Sequence, residues 1–302
     1  MTREKNIATF LGCEAAYDEA NIVLFGAPFD STTSYRPGTR FAPRTMRAES
    51  YGLETYSPYQ DADLESMAVF DGGDLELSIG SVELALKAIG DFAAGVLADG
   101  KFPFMLGGEH LVSLPAIRAA QAKYPDLAVI HFDAHTDLRD EYLGVKLSHA
   151  TVIRRVWDIL GDGRIFQFGI RSGEGAEFRW AKEHTTLRRF DFTGLTETLR
   201  AVQSRPVYLT IDLDVLDPSV FPGTGTPEAG GVTFNALREA AMQAIAGANV
   251  VACDLVELSP PYDPSGISTA TALKLLREML IKLELCPKPH QRALPSGLPA
   301  GE

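Results

Sequence analysis

Short aliphatic and β-branched runs recur along the chain, separated by stretches whose apolar residues fall three and four apart. Asn21–Gly26, Phe102–Leu106, Leu127–Ile130, Ile165–Gly169, Pro206–Ile211 and Val250–Val256 read as buried strands. Ser81–Leu97, Leu114–Lys123, Thr151–Leu160, Ala176–His184, a segment from Leu195, Phe234–Ile245 and Thr271–Leu285 carry helical spacing. This alternation predicts an α/β fold, a three-layer αβα sandwich around a mainly parallel sheet. Turn formers concentrate in Ser31–Pro43 and Asp217–Gly231, which read as loops, the first long enough to line a site. Residues 1–286 are expected to form one domain. Pro287–Glu302, with four prolines and little periodicity, reads as a disordered tail.

Composition narrows the partners. The 302 residues are 45% hydrophobic, enough for a large core, and the formal net charge is -12. That charge disfavours a nucleic-acid or anionic-lipid surface and favours cationic small molecules. Cys13, Cys253 and Cys286 are too few and too scattered for a disulfide framework or a CxxC zinc site, so a cytoplasmic location is expected. Met1–Phe10 has no signal-like apolar core, and no run is long enough to span a bilayer.

Polar groups gather where the strands stop. Asp133, His135 and Asp137 follow Leu127–Ile130 at alternate positions and would project the same way if extended geometry persisted. Such a charge density is costly to bury without a cation, although the segment alone reads equally well as an acidic loop. Gly107-Gly108-Glu109-His110 follows Phe102–Leu106, and Asp212-Leu213-Asp214 and Glu257 end the last two strands. The glycine pair is a weak phosphate signal, since no GxGxxG or P-loop lysine follows.

Open parallel sheets place their sites at this edge. His110, Asp133, His135, Asp137, Asp212 and Asp214 form an oxygen-rich set without thiolate, better suited to a pair of Mn²⁺ ions than to structural zinc. His131 is read as structural, facing away from the neighbours of Asp133 if the strand is regular. His184 and His290 have no partner motif. By itself, Glu257 reads as one end of a salt bridge and His149 as a capping or surface residue.

Gly107–His110, Asp133–Asp137, Asp212–Pro218, Gly223–Glu228 and Asp254–Glu257 together resemble the ureohydrolase family of arginases and agmatinases, over about Asn21 to Leu285. The resemblance implies an arginase-like fold and two Mn²⁺ per chain. One ion would take His110, Asp133, Asp137 and Asp212, and the other Asp133, His135, Asp212 and Asp214. It further implies that hydroxide generated there attacks a guanidinium carbon, that Glu257 pairs with the guanidinium, and that His149 is a mobile proton-transfer group. Ala150 stands where many relatives have glycine, which leaves the conformation of that loop open. Ser34–Phe41 and Phe168–Gly173 look more like agmatinases than arginases. Leu138–Ser148 lacks the asparagine-containing pattern with which arginases hold an amino acid. The implied reaction is hydrolysis of agmatine to putrescine and urea, a step of polyamine biosynthesis. Guanidinobutyrate, guanidinopropionate and arginine are the alternative substrates, and a noncatalytic metal-binding protein is the rival from another class. The resemblance also implies a homotrimer or homohexamer.

Overall fold

The computed structural model describes residues 8–286. The expected tail Pro287–Glu302, with His290, lies outside them. The chain starts with strand β1 (Ile22–Ala27), helix α1 (Ala42–Glu49), a small antiparallel pair β2 (Tyr56–Ser57) and β3 (Ala62–Asp63), and β4 (Val69–Asp74). There follow α2 (Val82–Ala98), β5 (Phe102–Gly107), α3 (Ser113–Lys123), β6 (Ala128–Phe132), α4 (Val152–Leu160), β7 (Ile165–Ile170), α5 (Gly175–His184) and β8 (Thr186–Arg189). The chain closes with α6 (Leu195–Ala201), β9 (Pro206–Asp212), α7 (Phe234–Gly247), β10 (Asn249–Val256) and α8 (Ile267–Leu285).

Eight strands form one sheet in the order β4-β1-β5-β10-β9-β6-β7-β8, and every pairing in it is parallel. Alternate residues feed two cores, as strand geometry requires. Ala128, Ile130 and Phe132 with Val207, Leu209 and Ile211 pack on the side covered by α1, α6, α7 and α8. Val129 and Tyr208 face the other side, with α2, α3, α4 and Ala181 of α5. The result is the expected αβα sandwich. No helix among the described residues is long and apolar enough to cross a membrane.

Strands β4 and β8 and helices α1 and α8 depart from the expectation. Both β4 and β8 were unread as strands, and both lie at the sheet's edges. The glycine pair and aspartates of β4 and the polar, partly exposed residues of β8 lack the apolar run of a central strand. The segment read as a loop to Pro43 turns helical at Ala42, because proline in a first helical turn gives up no hydrogen bond. Helix α8 begins at Ile267, ahead of the expected Thr271; Asp263 accepts the Ser268 N–H at 2.6 Å and organises that first turn.

Gly107 and Gly108 serve close packing. A Cβ on Gly107 would lie 2.4 Å from Val256 Cγ1, and one on Gly108 would lie 1.8 Å from the carbonyl oxygen of Phe29. Gly108 meanwhile donates to Ala27 O at 3.0 Å and accepts from Glu257 N at 3.0 Å, joining the ends of β1, β5 and β10. Gly108→Ala is therefore expected to lower stability by about 1–3 kcal/mol or more through overpacking against rigid backbone. Urea denaturation checks this, and an unchanged midpoint would remove the packing role.

Candidate metal centre and active site

Strands β5, β10, β9 and β6 are consecutive in the sheet, and their C-terminal ends deliver His110, Glu257, Asp212 and Asp133 in that order. His110 opens a 3₁₀ turn just after β5 and is buried. Strand β6 stops at Phe132, so the projected extended run to Asp137 does not persist. The segment stays tethered to the end of β7 instead: Asp133 N donates to Phe168 O at 3.1 Å and Thr136 N to Ser172 O at 3.1 Å. Asp137 then takes left-handed backbone (φ 51°), as does Glu257 (φ 66°). Such backbone is uncommon outside glycine and points to a local demand for that side-chain direction.

The six expected ligands converge. His110 Nδ1 lies 3.2 Å from Asp133 Oδ2, 3.2 Å from Asp137 Oδ2 and 3.3 Å from Asp212 Oδ2, yet it is buried without a hydrogen-bond partner. His135 Nδ1 lies 3.0 Å from Asp214 Oδ2 and 3.5 Å from Asp133 Oδ1. Asp133 thus reaches both groups through its two oxygens. Asp212 directs Oδ2 to the first group, while its Oδ1 accepts the Asp214 N–H at 2.9 Å.

His131 does not face away. Its ring contacts Asp133 Oδ2 through Nε2 at 2.7 Å, and Gln167 Nε2 lies 3.1 Å from its Nδ1. The Gln167 amide is oriented by its other bonds, donating to Thr136 O at 2.9 Å and accepting from Thr185 Oγ1 at 3.1 Å. Gln167 therefore donates to Nδ1, and His131 must donate from Nε2 to Asp133. Residues 131 and 133 share one parity, so strand alternation puts them on one face. Burial lowers the His131 pKa, consistent with a neutral donor. His131 also lies within reach of His110 and Asp133 as a third donor atom, but its Nε2 proton is already committed to Asp133.

The electrostatics are those of crowded carboxylates in a dry place. Burial raises the Asp212 pKa well above the usual range, and the charges of Asp214 and Asp133 add to it. Burial and the Asp133 charge also raise Asp137. Asp133 goes the other way: burial opposes ionisation, but His131, His110 and His135 hold it well below the ordinary value. Burial disfavours a charged His110, yet the three carboxylates around Nδ1 outweigh it and push its pKa up. An imidazole nitrogen facing three carboxylates needs a positive partner, and hard oxygens with imidazole suit a divalent cation. Two such ions would carry four charges against Asp133, Asp137, Asp212 and Asp214.

A cavity of about 300 Å³ opens onto these groups, walled by Ser34, Arg139, Tyr142, His149, Glu174 and Glu257. Glu257 accepts the His110 N–H through Oε1 at 2.8 Å, and burial followed by the Glu109 charge raises its pKa well above normal. His149 sits in a single 3₁₀ turn closed by a Ser148–Thr151 capping box. Its N–H donates to Thr32 Oγ1 at 3.1 Å, and its ring meets Tyr142 edge to face at 5.7 Å. Burial lowers the His149 pKa to about 4. Ala150 fits this turn with no positive φ.

Three supports escaped the sequence reading. Arg171 donates to the carbonyls of Asp214 (2.7 Å), Val215 (3.1 Å) and Glu228 (2.9 Å), fastening the loop after β9 to the end of β7. Buried Glu109, its pKa raised to about 7 by burial, accepts from Thr32 Oγ1 at 2.5 Å and Thr33 Oγ1 at 3.0 Å. Through Thr32 it anchors the His149 turn. Gln167, inside β7, is the third; the detectable signal was a glutamine in an otherwise apolar strand. His184, which has no partner motif, stacks on Trp180 with Asp162 at 2.8 Å and does not line the cavity.

A sequence profile of the arginase family matches residues 20–282. The chain belongs to the arginase family. An agmatinase of Bacillus anthracis is 50% identical to it over 276 residues, covering 90% of this chain and 95% of that protein. A guanidinobutyrase of Pseudomonas aeruginosa is 36% identical over 286 residues, covering 89% and 88%. The solved agmatine ureohydrolase of Thermoplasma volcanium superposes with a TM-score of 0.84 at 36% identity, covering 92% of this chain and 95% of that one. This arginase-family chain is a hydrolase of a guanidino carbon–nitrogen bond, most like the agmatinases. The fold implies a binuclear metal centre, and the donor set described above fits one.

Chelation is expected to lower the melting temperature, because the four aspartates repel one another and metal binds only the folded chain. At a free ion concentration of 100 Kd the lost stabilisation is about 2.7 kcal/mol. Calorimetry before and after chelation, with Mn²⁺ added back, checks this; an unchanged melting temperature in demonstrably metal-free protein contradicts it.

His149 also links stability to pH. Its folded pKa of about 4 lies below the ordinary 6.5, so between those values the unfolded chain binds the extra proton and stability falls as pH falls. His149→Phe should flatten that slope by up to about 1.4 kcal/mol per pH unit. Identical slopes for both proteins across pH 4 to 6.5, at matched metal content, would be inconsistent with a half-buried His149 held neutral by desolvation.

Proposed function

We propose that this protein hydrolyses agmatine to putrescine and urea with two Mn²⁺ per chain, in the cytoplasm and as a homotrimer or homohexamer. The observation that carries the reading is the convergence of His110, Glu257 and Asp212 from adjacent strand ends onto one cavity, with Asp133, at the end of the next strand, 3.2 Å from His110 Nδ1 and His149 in the cavity wall. In this reading His110, Asp133, Asp137 and Asp212 hold one ion, and Asp133, His135, Asp212 and Asp214 hold the other. Bound there, the ions would supply an activated water near neutral pH.

The chain's own residues do the rest. Glu257, fixed through its Oε1 by the His110 N–H, orients the guanidinium by charge-assisted hydrogen bonds. His149, neutral at pH 7, would take at a ring nitrogen the proton that the attacking water gives up and pass it to the departing amine. Ser34 Oγ lies 3.4 Å from its Nε2 and orients the ring. One feature favours an amine tail over a carboxylate tail. Among the described residues lining the cavity, the one arginine or lysine is Arg139, and it is occupied by Glu174 at 3.2 Å and Glu177 at 3.7 Å. A guanidino acid would have to break that pairing, whereas agmatine would meet a wall of net negative charge.

Urea release from agmatine, guanidinobutyrate, guanidinopropionate and arginine, with Mn²⁺ supplied, tests the substrate; faster turnover of a carboxylate-tailed compound would overturn agmatine. Glu257→Gln should lower kcat/KM for agmatine by about 1.5–3 kcal/mol in transition-state terms while both metal positions stay filled. Equal efficiencies would take Glu257 out of the site, and lost metal would give it a different role.

A further inference from the structure

The far side of His110 carries a chain of groups that the reaction does not use. Thr210 of β9 and Asp254 of β10 are register partners in neighbouring strands, both fully buried. Asp254 accepts from Thr210 Oγ1 through Oδ1 at 2.7 Å and from Tyr208 OH through Oδ2 at 2.7 Å. A threonine hydroxyl has a single proton, and here it goes to the carboxylate. Toward His110 Nε2, at 3.0 Å, Thr210 Oγ1 can therefore only accept. When the ring is neutral, its one proton therefore sits on Nε2, and the Nδ1 lone pair is free for a cation among Asp133, Asp137 and Asp212.

We propose that Thr210 and Asp254 are positioning residues that hold the His110 proton on Nε2 and thereby set the affinity of the metal position that contains His110. The inference rests on the reading of His110 as a ligand. With the proton on Nδ1 the ring cannot bind a cation there, and a ring without the Thr210 contact is free to carry it so. A partner hydrogen-bonded to the far nitrogen of a ligand histidine is generally worth about 10- to 100-fold in metal affinity. The effect is selective, because these hydrogen bonds of Thr210 and Asp254 run to His110, Tyr208 and each other rather than to His135 or Asp214 of the second group.

The test is a calorimetric titration of the metal-free full chain with Mn²⁺ alone. Thr210→Val keeps the shape and removes the hydroxyl. It should weaken one of the two binding events about 10- to 100-fold and leave the other unchanged, while Thr210→Ser restores wild-type binding. In a His110→Ala background, Thr210→Val should cost nothing further. Should Thr210→Val not fold, Asp254→Asn carries the same expectation, since its amide can donate to Thr210 and release the hydroxyl proton toward His110. Unchanged binding in a folded variant, equal weakening of both events, or an undiminished effect without His110 would each overturn the proposal. If His110→Ala alone leaves both events intact, the ligand reading of His110 falls, and the proposal with it; if His110→Ala removes one event while Thr210→Val removes none, the hydrogen-bond chain alone is wrong.

Discussion

Four aspartate side chains buried within a few ångströms of one another impose the dominant constraint on this molecule. Desolvation and neighbouring carboxylate charge both oppose the ionisation of Asp212 and Asp137. The protein meets part of that cost with hydrogen bonds: His131 on Asp133, the Asp214 N–H on Asp212 and Thr226 on Asp214. The remainder calls for cations. Left-handed backbone at Asp137 and Glu257 and the glycines that let β1, β5 and β10 close together follow from the same demand, since the carboxylates must meet from the ends of β6, β9 and β10.

The supporting groups divide by what they restrain. His131, with Gln167 behind it, orients a carboxylate; Thr210, with Asp254 behind it, orients an imidazole; Glu109, through Thr32, holds the turn bearing His149. Arg171 restrains backbone, spending its guanidinium on carbonyl oxygens of the loop after β9. A net charge of -12 is thus unevenly used, with much acidity buried where it has a task and the remainder spread over the surface.

The six central strands and the candidate ligands at their ends were legible because a strand buried on both faces leaves a continuous apolar run, and a charged residue directly after such a run is conspicuous. The edge strands β4 and β8 were not, since an edge needs no such run. The candidate ligands come together by a different geometry from the one expected: alternation was expected to carry through Asp137, whereas the chain leaves the sheet at Phe132 and returns by a left-handed turn. Thr210, Asp254 and Gln167 were hidden because a polar side chain inside a strand announces no partner until the neighbouring strands are known. His131 was misjudged although its parity with Asp133 was available in the numbering.

Strand order has a consequence for how the chain comes together. Strands β5 and β6 lie close in sequence and carry His110 and Asp133, yet three inter-strand spacings separate them, roughly 14 Å. The gap is filled by β9 and β10, the last two strands of the sheet in chain order. A nascent chain that has emerged only as far as β8 holds His110 and Asp133 without the strands that set them facing one another. The candidate metal edge therefore depends on the C-terminal third: β9 brings Asp212 and Asp214, and β10, between β5 and β9, supplies the spacing that sets His110 against them.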